Sequence, residues 1–330
     1  MQTSALSSHR ERRTLGWASD DRINVMVTPW RALIAAVGAA LACVPVAAAY
    51  TPVAVVATPR IEIQPAASMD HLAYSEATRS RPNAFTLFAK PAAAPRFRIN
   101  PPGTVAFVGS IDGATLAYTQ RTFSGRGQIK LFDLVAKSSI GTPAGVNTAA
   151  HEGAPYLSGD WLVFTRARQR DLSSPRRLIL HHLPDGAQTQ LDFGNNAYVQ
   201  GGGLAGNYVV WTRCPALNRC RTWIYDIGAG TKHILPNPLG KSQFAASVTA
   251  DGTAYYAESG TIICGIRKVV RFWRQPLVGA RELIGNLSRG HDTAVTSPVV
   301  MGDGSVELFF DRFICRTGAA DIYKFVIPAP

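Results

Sequence analysis

The chain has 330 residues, 46% of them hydrophobic and 17% charged, with a formal net charge of +12. That apolar content excludes a disordered polymer, and the length suits one large all-β domain or two smaller ones. The basic balance does not by itself indicate nucleic acid, because no stacking motif accompanies it.

Residues 1–25 are polar and rich in Ser and Arg, and Met26-Val-Thr-Pro-Trp-Arg31 follows. The apolar run Ala32–Ala42 comes next, then Pro45 and the small residues Ala47–Ala49. A basic flank, a short apolar core and a small-residue cleavage site predict a secretory signal peptide, with Met26 as its natural start. The expected division is 1–49, extension and signal, and 50–330, a single mature domain. Two other readings stay open: lipidation at Cys43, and a membrane anchor extending to Val56 that Pro45 and Pro52 would interrupt.

Beyond Tyr50 the sequence repeats itself. Asp112-Gly-Ala-Thr-Leu-Ala-Tyr-Thr-Gln leads to Ile129-Lys-Leu-Phe-Asp-Leu, and Gly159-Asp-Trp-Leu-Val-Phe-Thr-Arg leads to Leu178-Ile-Leu-His-His-Leu. Gly206-Asn-Tyr-Val-Val-Trp-Thr-Arg leads likewise to Trp223-Ile-Tyr-Asp-Ile, and fainter copies begin at Met69, Asp251 and Asp303. The aromatics Tyr74, Tyr118, Phe164, Trp211, Tyr256 and Phe310 are 44, 46, 47, 45 and 54 residues apart. A period of that length with several short strands per copy predicts an all-β fold, a six-bladed β-propeller of four-stranded antiparallel blades.

In chain order, blade one is expected at 60–63, 71–76, 84–89 and 96–99, and blade two at 105–109, 116–120, 129–134 and 138–140. Blades three and four take 154–157, 161–166, 178–183, 188–193 and then 197–201, 208–213, 222–227, 232–235. Blade five takes 244–248, 254–258, 268–274 and 281–284. The sixth copy ends on its third strand, Asp321–Ile327, while a strand-like run, Val53–Val56, precedes the first. An unpaired edge is a liability, so that N-terminal run is expected to close the last blade.

The turn with Asp-Gly, the Leu-Ala-Tyr-Thr strand, the Ile-Tyr-Asp-Ile strand and the closing Gly together resemble the TolB-like (WD40-like) propeller repeat over residues 60–330. The match is good at Gly159–Leu191 and Gly206–Leu235 and poor in the fifth and sixth copies. The resemblance implies an exported bacterial six-bladed propeller that binds partners, and implies no chemistry.

Strands alternate direction within a blade, so the short turns between strands one and two, and three and four, share one rim. The longer loops 77–82, 121–128, 167–176, 214–221, 259–267 and 313–320 open on the other, together with the blade junctions. Function is expected on that second rim, because a rigid scaffold carries function on its loops. Ligand-binding candidates at the channel mouth are His151, Glu152, Asn195, Asn196, His291 and Asp292. A lactonase or lyase reading would place a metal or polar site among them, although no metal or cofactor signature is present and none is expected. The histidines His181 and His182 point to opposite faces of one strand and are structural.

Once Cys43 leaves with the signal, Cys214, Cys220, Cys264 and Cys315 remain. Cys214 and Cys220 share a hairpin loop, whereas Cys264 and Cys315 occupy equivalent loops of neighbouring blades, so these two pairs are the expected disulfides of an exported chain. Arg166, Arg168, Arg170, Arg176 and Arg177 form a basic patch for a protein or an anionic cell-envelope component. The expected function is a monomeric, non-catalytic binding scaffold that takes no nucleic acid. It meets a membrane only if Cys43 is lipidated or the leader stays uncleaved.

Overall fold

A computed structural model of the protein describes residues 49–329 apart from 123–124, 169–174, 196 and 217. The signal segment, Met26 and Cys43 lie outside the described residues. So do Arg170 and Asn196.

Strand β1 (Val53–Val56) is followed by β2 (Ile61–Ala67), β3 (His71–Thr78), β4 (Arg81–Pro91) and β5 (Phe97–Arg98). One four-stranded sheet holds β6 (Thr104–Asp112), β7 (Thr115–Thr122), β8 (Gln128–Asp133) and β9 (Ser138–Gly141). The next holds β10 (His151–Ser158), β11 (Trp161–Ala167), β12 (Arg176–His182) and β13 (Gln188–Phe193). A third holds β14 (Tyr198–Ala205), β15 (Tyr208–Cys214), β16 (Arg221–Asp226) and β17 (Thr231–Ile234). A fourth holds β18 (Ser242–Val248), β19 (Ala254–Ser259), β20 (Val270–Gln275) and β21 (Glu282–Leu287). The last strands are β22 (His291–Asp292), β23 (Thr296–Val300), β24 (Val306–Ile314) and β25 (Ala320–Ile327).

The first and last repeats share a nine-stranded sheet, joined by one parallel bridge between Ile61 and Ala320. On one side lie β2 to β5 and on the other β22 to β25, with β1 as the outer partner of β25. Val53 pairs with Lys324, Ala54 with Tyr323 and Val56 with Ile322, all antiparallel. The N-terminal run therefore closes the last blade. Its valines are less buried than a core strand's: Val53 is 53% exposed, while Val55 and Val56 lean on the cluster of Leu72, Tyr74 and Ile322.

The second strand of each repeat is apolar on both faces because another blade packs against each. In β11 the burial runs unbroken from Leu162 to Thr165, and in β15 from Val209 to Thr212. The repeat's aromatics are accordingly sealed, with Tyr74 at 1% exposed and Phe164, Trp211, Tyr256 and Phe310 at 0%. The first strands β2, β6, β10, β14, β18 and β23 all border one cavity of about 140 Å³, which marks the axis.

A polar residue follows five of the six aromatics, Ala257 being the exception, and at three of them it fastens neighbouring blades. The Ser75 hydroxyl accepts from the Val108 N–H at 3.2 Å, and the Thr119 hydroxyl accepts from the Ala154 N–H at 3.2 Å. In the last repeat this position is Asp311, which accepts from the Gln64 N–H across the closing seam at 3.0 Å. The receiving strands are bulged just there: β2 between Ile63 and Ala66, β6 between Val108 and Ser110, β10 between Gly153 and Tyr156. Gln64 and Ala154 take left-handed φ values of 54° and 48°, the conformation such bulges impose. In β6 the bulge includes Gly109, where a Cβ would overlap the Pro155 carbonyl oxygen of the next blade.

Two expectations for blade one need correction. The long loop expected at 77–82 is a tight turn, because β3 runs on to Thr78 and Thr78 pairs with Arg81. The fourth strand expected at 96–99 shrinks to Phe97–Arg98, since Asn100 turns back and its side-chain oxygen accepts from the Leu87 N–H at 2.7 Å.

Candidate functional site

A cavity of about 420 Å³ opens on the long-loop rim, where the last three repeats meet. Its walls come from the start of β14 (Tyr198, Gln200), the end of β15 (Thr212, Cys214) and β18 (Phe244, Ala245). The β19–β20 loop adds Ile262 and Cys264, the end of β22 adds Asp292, the link to β23 adds Thr293 and Ala294, and β24 adds Phe313. Tyr198, Phe244, Ile262 and Phe313 make it mainly apolar, a shape and size suited to an organic side chain or small ligand.

Two disulfides fix those walls. Cys214 is bonded to Cys220 and Cys264 to Cys315, with Cα atoms 4.0 and 5.5 Å apart. The second bridge ties the β19–β20 loop to the loop after β24, so one wall cannot drift from the other.

Asp292, the one carboxylate that lines the cavity, is fully engaged. Lys268 Nζ donates to both oxygens of Asp292 at 2.7 Å, and the Thr293 N–H donates to Oδ1 at 2.9 Å. The Lys268 ammonium also lies 4.5 Å from the centre of the Phe244 ring. Burial pushes the Lys268 pKa down and that of Asp292 up, while their mutual attraction opposes both shifts. Cys264, Asp292 and Cys315 also lie close enough for one metal ion to reach all three. With the sulfurs bonded together and the carboxylate covered by Lys268, that trio offers no donor set while the bridge is closed.

Among the described ligand candidates, Asp292 alone lines the cavity. His151 Nδ1 accepts from the Gly127 N–H at 2.7 Å, and burial followed by nearby Arg176 holds its pKa below the usual value. Glu152 is fully buried. Its Oε1 accepts from Thr148 Oγ1 at 2.6 Å and Arg166 Nε at 3.1 Å, whereas Oε2 has no partner among the described residues. His291 Nδ1 lies 3.0 Å from Ser288 Oγ, and Asn195 is exposed in a turn. The structure does not bring the two His-acid pairs together around one ligand position.

The blade-three arginines are largely occupied. Arg166 pairs with Glu152 and donates to the Gly145 and Val146 carbonyls. Arg176 lies over Tyr198 at 4.9 Å and Arg177 over Phe193 at 5.6 Å, while Arg168 is exposed. The residues that shape the cavity, Tyr198, Phe244, Ile262 and Phe313, read in the sequence as ordinary strand and loop positions. The available signal was the apolar content of those long loops, Ile262, Ile263 and Ile266 in one and Phe313 and Ile314 in the other.

No family model matches the sequence, and no curated protein matches it. Among solved structures, the one assigned to TolB from Agrobacterium tumefaciens aligns with a TM-score of 0.55 at 12% identity, over 82% of this chain and 92% of that one. The fold is a TolB-like β-propeller. A puromycin hydrolase S511A mutant structure aligns at TM-score 0.51 and 13% identity, over 79% of this chain and 46% of that one. A prolyl endopeptidase structure aligns at 0.49 and 10%, over 82% and 51%. The chain thus spans about half the length of the peptidases it matches, and at these identities the likeness concerns the fold.

Proposed function

We propose that the protein is an exported binding scaffold of the cell envelope. Its signal segment over 1–49 is removed, and the propeller over 50–330 holds a protein partner through the rim cavity. One observation carries this reading: a disulfide-framed apolar pocket whose one lining carboxylate, Asp292, is already satisfied by Lys268. Such a site has shape to offer and no group positioned to transfer a proton. Two disulfides suit an oxidising compartment, and the resemblance to TolB-like repeats implies partner binding outside the cytoplasm.

The test is a photo-reactive side chain placed at Ile262, in the cavity wall, and another at Val278, exposed on the opposite turn rim. In living cells the Ile262 position should cross-link to a discrete envelope protein and the Val278 position should not. Equal adducts from both rims, or none from Ile262, would overturn the binding site. Retention of the chain in the cytoplasm with its leader intact would overturn the export.

A further inference from the structure

On the outer side of the same β19–β20 loop lies a second depression, a shallow groove of about 640 Å³. Lys241, Arg267 and Arg271 line it together with Ile263 and Ile266. The three cations make no ion pair, side-chain hydrogen bond or ring contact with the described residues, in contrast to Lys268 beneath them. Ile263 is 54% exposed and Ile266 71%, an uncommon position for two isoleucines on one short loop.

The surroundings extend this pattern. Gly290 N–H donates to the Lys268 carbonyl and Cys315 N–H to the Gly290 carbonyl, which brings exposed Arg289 and Arg316 beside the groove. On its other flank, the turn that closes from Lys241 N–H to the Pro238 carbonyl projects Leu239, 97% exposed. Two carboxylates lie close by, and both are taken: Asp292 by Lys268, and Glu258, which sits cross-strand from Arg271, by Arg281. Five cations without a side-chain partner among the described residues thus lie in or next to a groove that carries two exposed isoleucines, with Leu239 on its flank.

The structure assigns this face to docking on an anionic lipid bilayer. Charge complementarity selects a polyanionic surface, and the aliphatic side chains select among polyanions. A soluble polyanion or an acidic protein loop gains nothing from Leu239, Ile263 and Ile266 standing free in water. A bilayer interface accepts apolar side chains between its headgroups while the flanking cations meet the phosphates. The disulfide to Cys315 keeps the loop from folding its isoleucines back into the protein. Docking through the outer groove leaves the cavity on the other side of the loop available to a partner, so this inference stands or falls separately from the binding reading above.

The experiment is co-sedimentation of the purified exported protein with phosphatidylcholine vesicles, with and without phosphatidylglycerol, across a salt series. Binding should require phosphatidylglycerol and weaken as salt rises. The triple variant Lys241→Gln/Arg267→Gln/Arg271→Gln should lose about 100-fold in partitioning, at about fivefold for each surface cation. Ile263→Ser/Ile266→Ser keeps every charge and should still lose at least about tenfold. Four of the five positions are exposed and Lys241 is half-buried, so melting curves should match the wild type, and Lys90→Gln, an exposed cation on the first blade, should bind like it. Equal binding to neutral vesicles, unchanged binding of the serine variant, or an equal loss from Lys90→Gln would each overturn the proposal. An unchanged serine variant would mark the groove as a site for soluble polyanions.

Discussion

Asp311 should be the most costly single residue to remove from the closing seam. It is fully buried on β24, and four donors converge on it. Oδ2 accepts from the Gln64 N–H of the first repeat at 3.0 Å. Oδ1 accepts from Thr293 Oγ1 at 3.1 Å and from the N–H groups of Ala294 and Val295 at 2.8 and 3.3 Å. In Asp311→Ala these donors lose their acceptor in a site that water does not easily reach. Each buried unsatisfied donor costs about 1–3 kcal/mol, and no longer desolvating a carboxylate offsets part of the sum. The net expectation is about 3–5 kcal/mol. Asp311→Asn should cost less, about 1–2 kcal/mol. Its side-chain oxygen can serve the Thr293 cluster, while its amide meets the Gln64 N–H donor to donor. For contrast, Thr119→Val removes one hydroxyl acceptor between blades and should cost about 1 kcal/mol. Urea unfolding with a shared m-value gives the three numbers, and amide exchange at Gln64 and Ala294 locates the loss. An alanine variant within about 1 kcal/mol of wild type, or an asparagine variant worse than alanine, would refute this account of the seam.

Removing Tyr50–Pro59 should unpair β25 and strip off the half-buried Val55 and Val56, a loss of about 2 kcal/mol. In a domain of this size that lowers the melting temperature by about 5 °C and exposes an edge that promotes aggregation; a truncated protein that melts unchanged and stays monomeric would contradict it. Glu62 is fully buried, with Oε1 accepting from Thr58 and Oε2 without a partner among the described residues, and burial first, then Asp321 and Glu76, raise its pKa. The folded state therefore holds that proton more tightly than the unfolded chain, so this group lowers stability as pH rises from the ordinary carboxylate range through the raised value. Glu62→Gln should flatten that slope and stabilise the protein at neutral pH, and equal urea midpoints for variant and wild type across the range would count against it. Opening Cys264–Cys315 releases a 51-residue separation and should cost about 4 kcal/mol on the chain-entropy model, against about 2 for the six-residue Cys214–Cys220 separation. Single Cys-pair-to-Ala variants compared by thermal melting decide the order.

The repeat was legible because the constraint behind it is local. An aromatic sealed between two sheets recurs wherever a second strand recurs, and the Asp-Gly turns announce themselves by needing left-handed glycines, as at Gly113 and Gly252 with φ of 56° and 81°. The pairing of the cysteines followed from which loops share a rim. The cavity was not legible, since Tyr198, Ile262 and Phe313 meet only when three blades pack, and no local pattern marks a wall as such. The basic patch shows the same limit. Arg176 and Arg177 look free in sequence, yet in the fold their guanidinium groups lie on aromatic rings from neighbouring strands. Conversely, Lys241, Arg267 and Arg271 are scattered in sequence and gather only through the β17–β18 and β19–β20 connections.

The polar fasteners between blades also set a direction in time. Ser75 catches Val108 from 33 positions upstream, Thr119 catches Ala154 from 35, and Ser110 catches Leu157 from 47. In each case the catching side chain leaves the ribosome before the strand it receives, so a growing chain can settle each blade against the one already made. The seam reverses that order. Gln64 waits 247 positions for Asp311, and Ala67 waits 230 for Ser297. Until the final strands arrive, the first sheet has no neighbour on one face, and ring closure must meet the loop-closure entropy of almost the whole domain in one step. Slow, late acquisition of the first blade's protection is the kinetic signature this arrangement imposes.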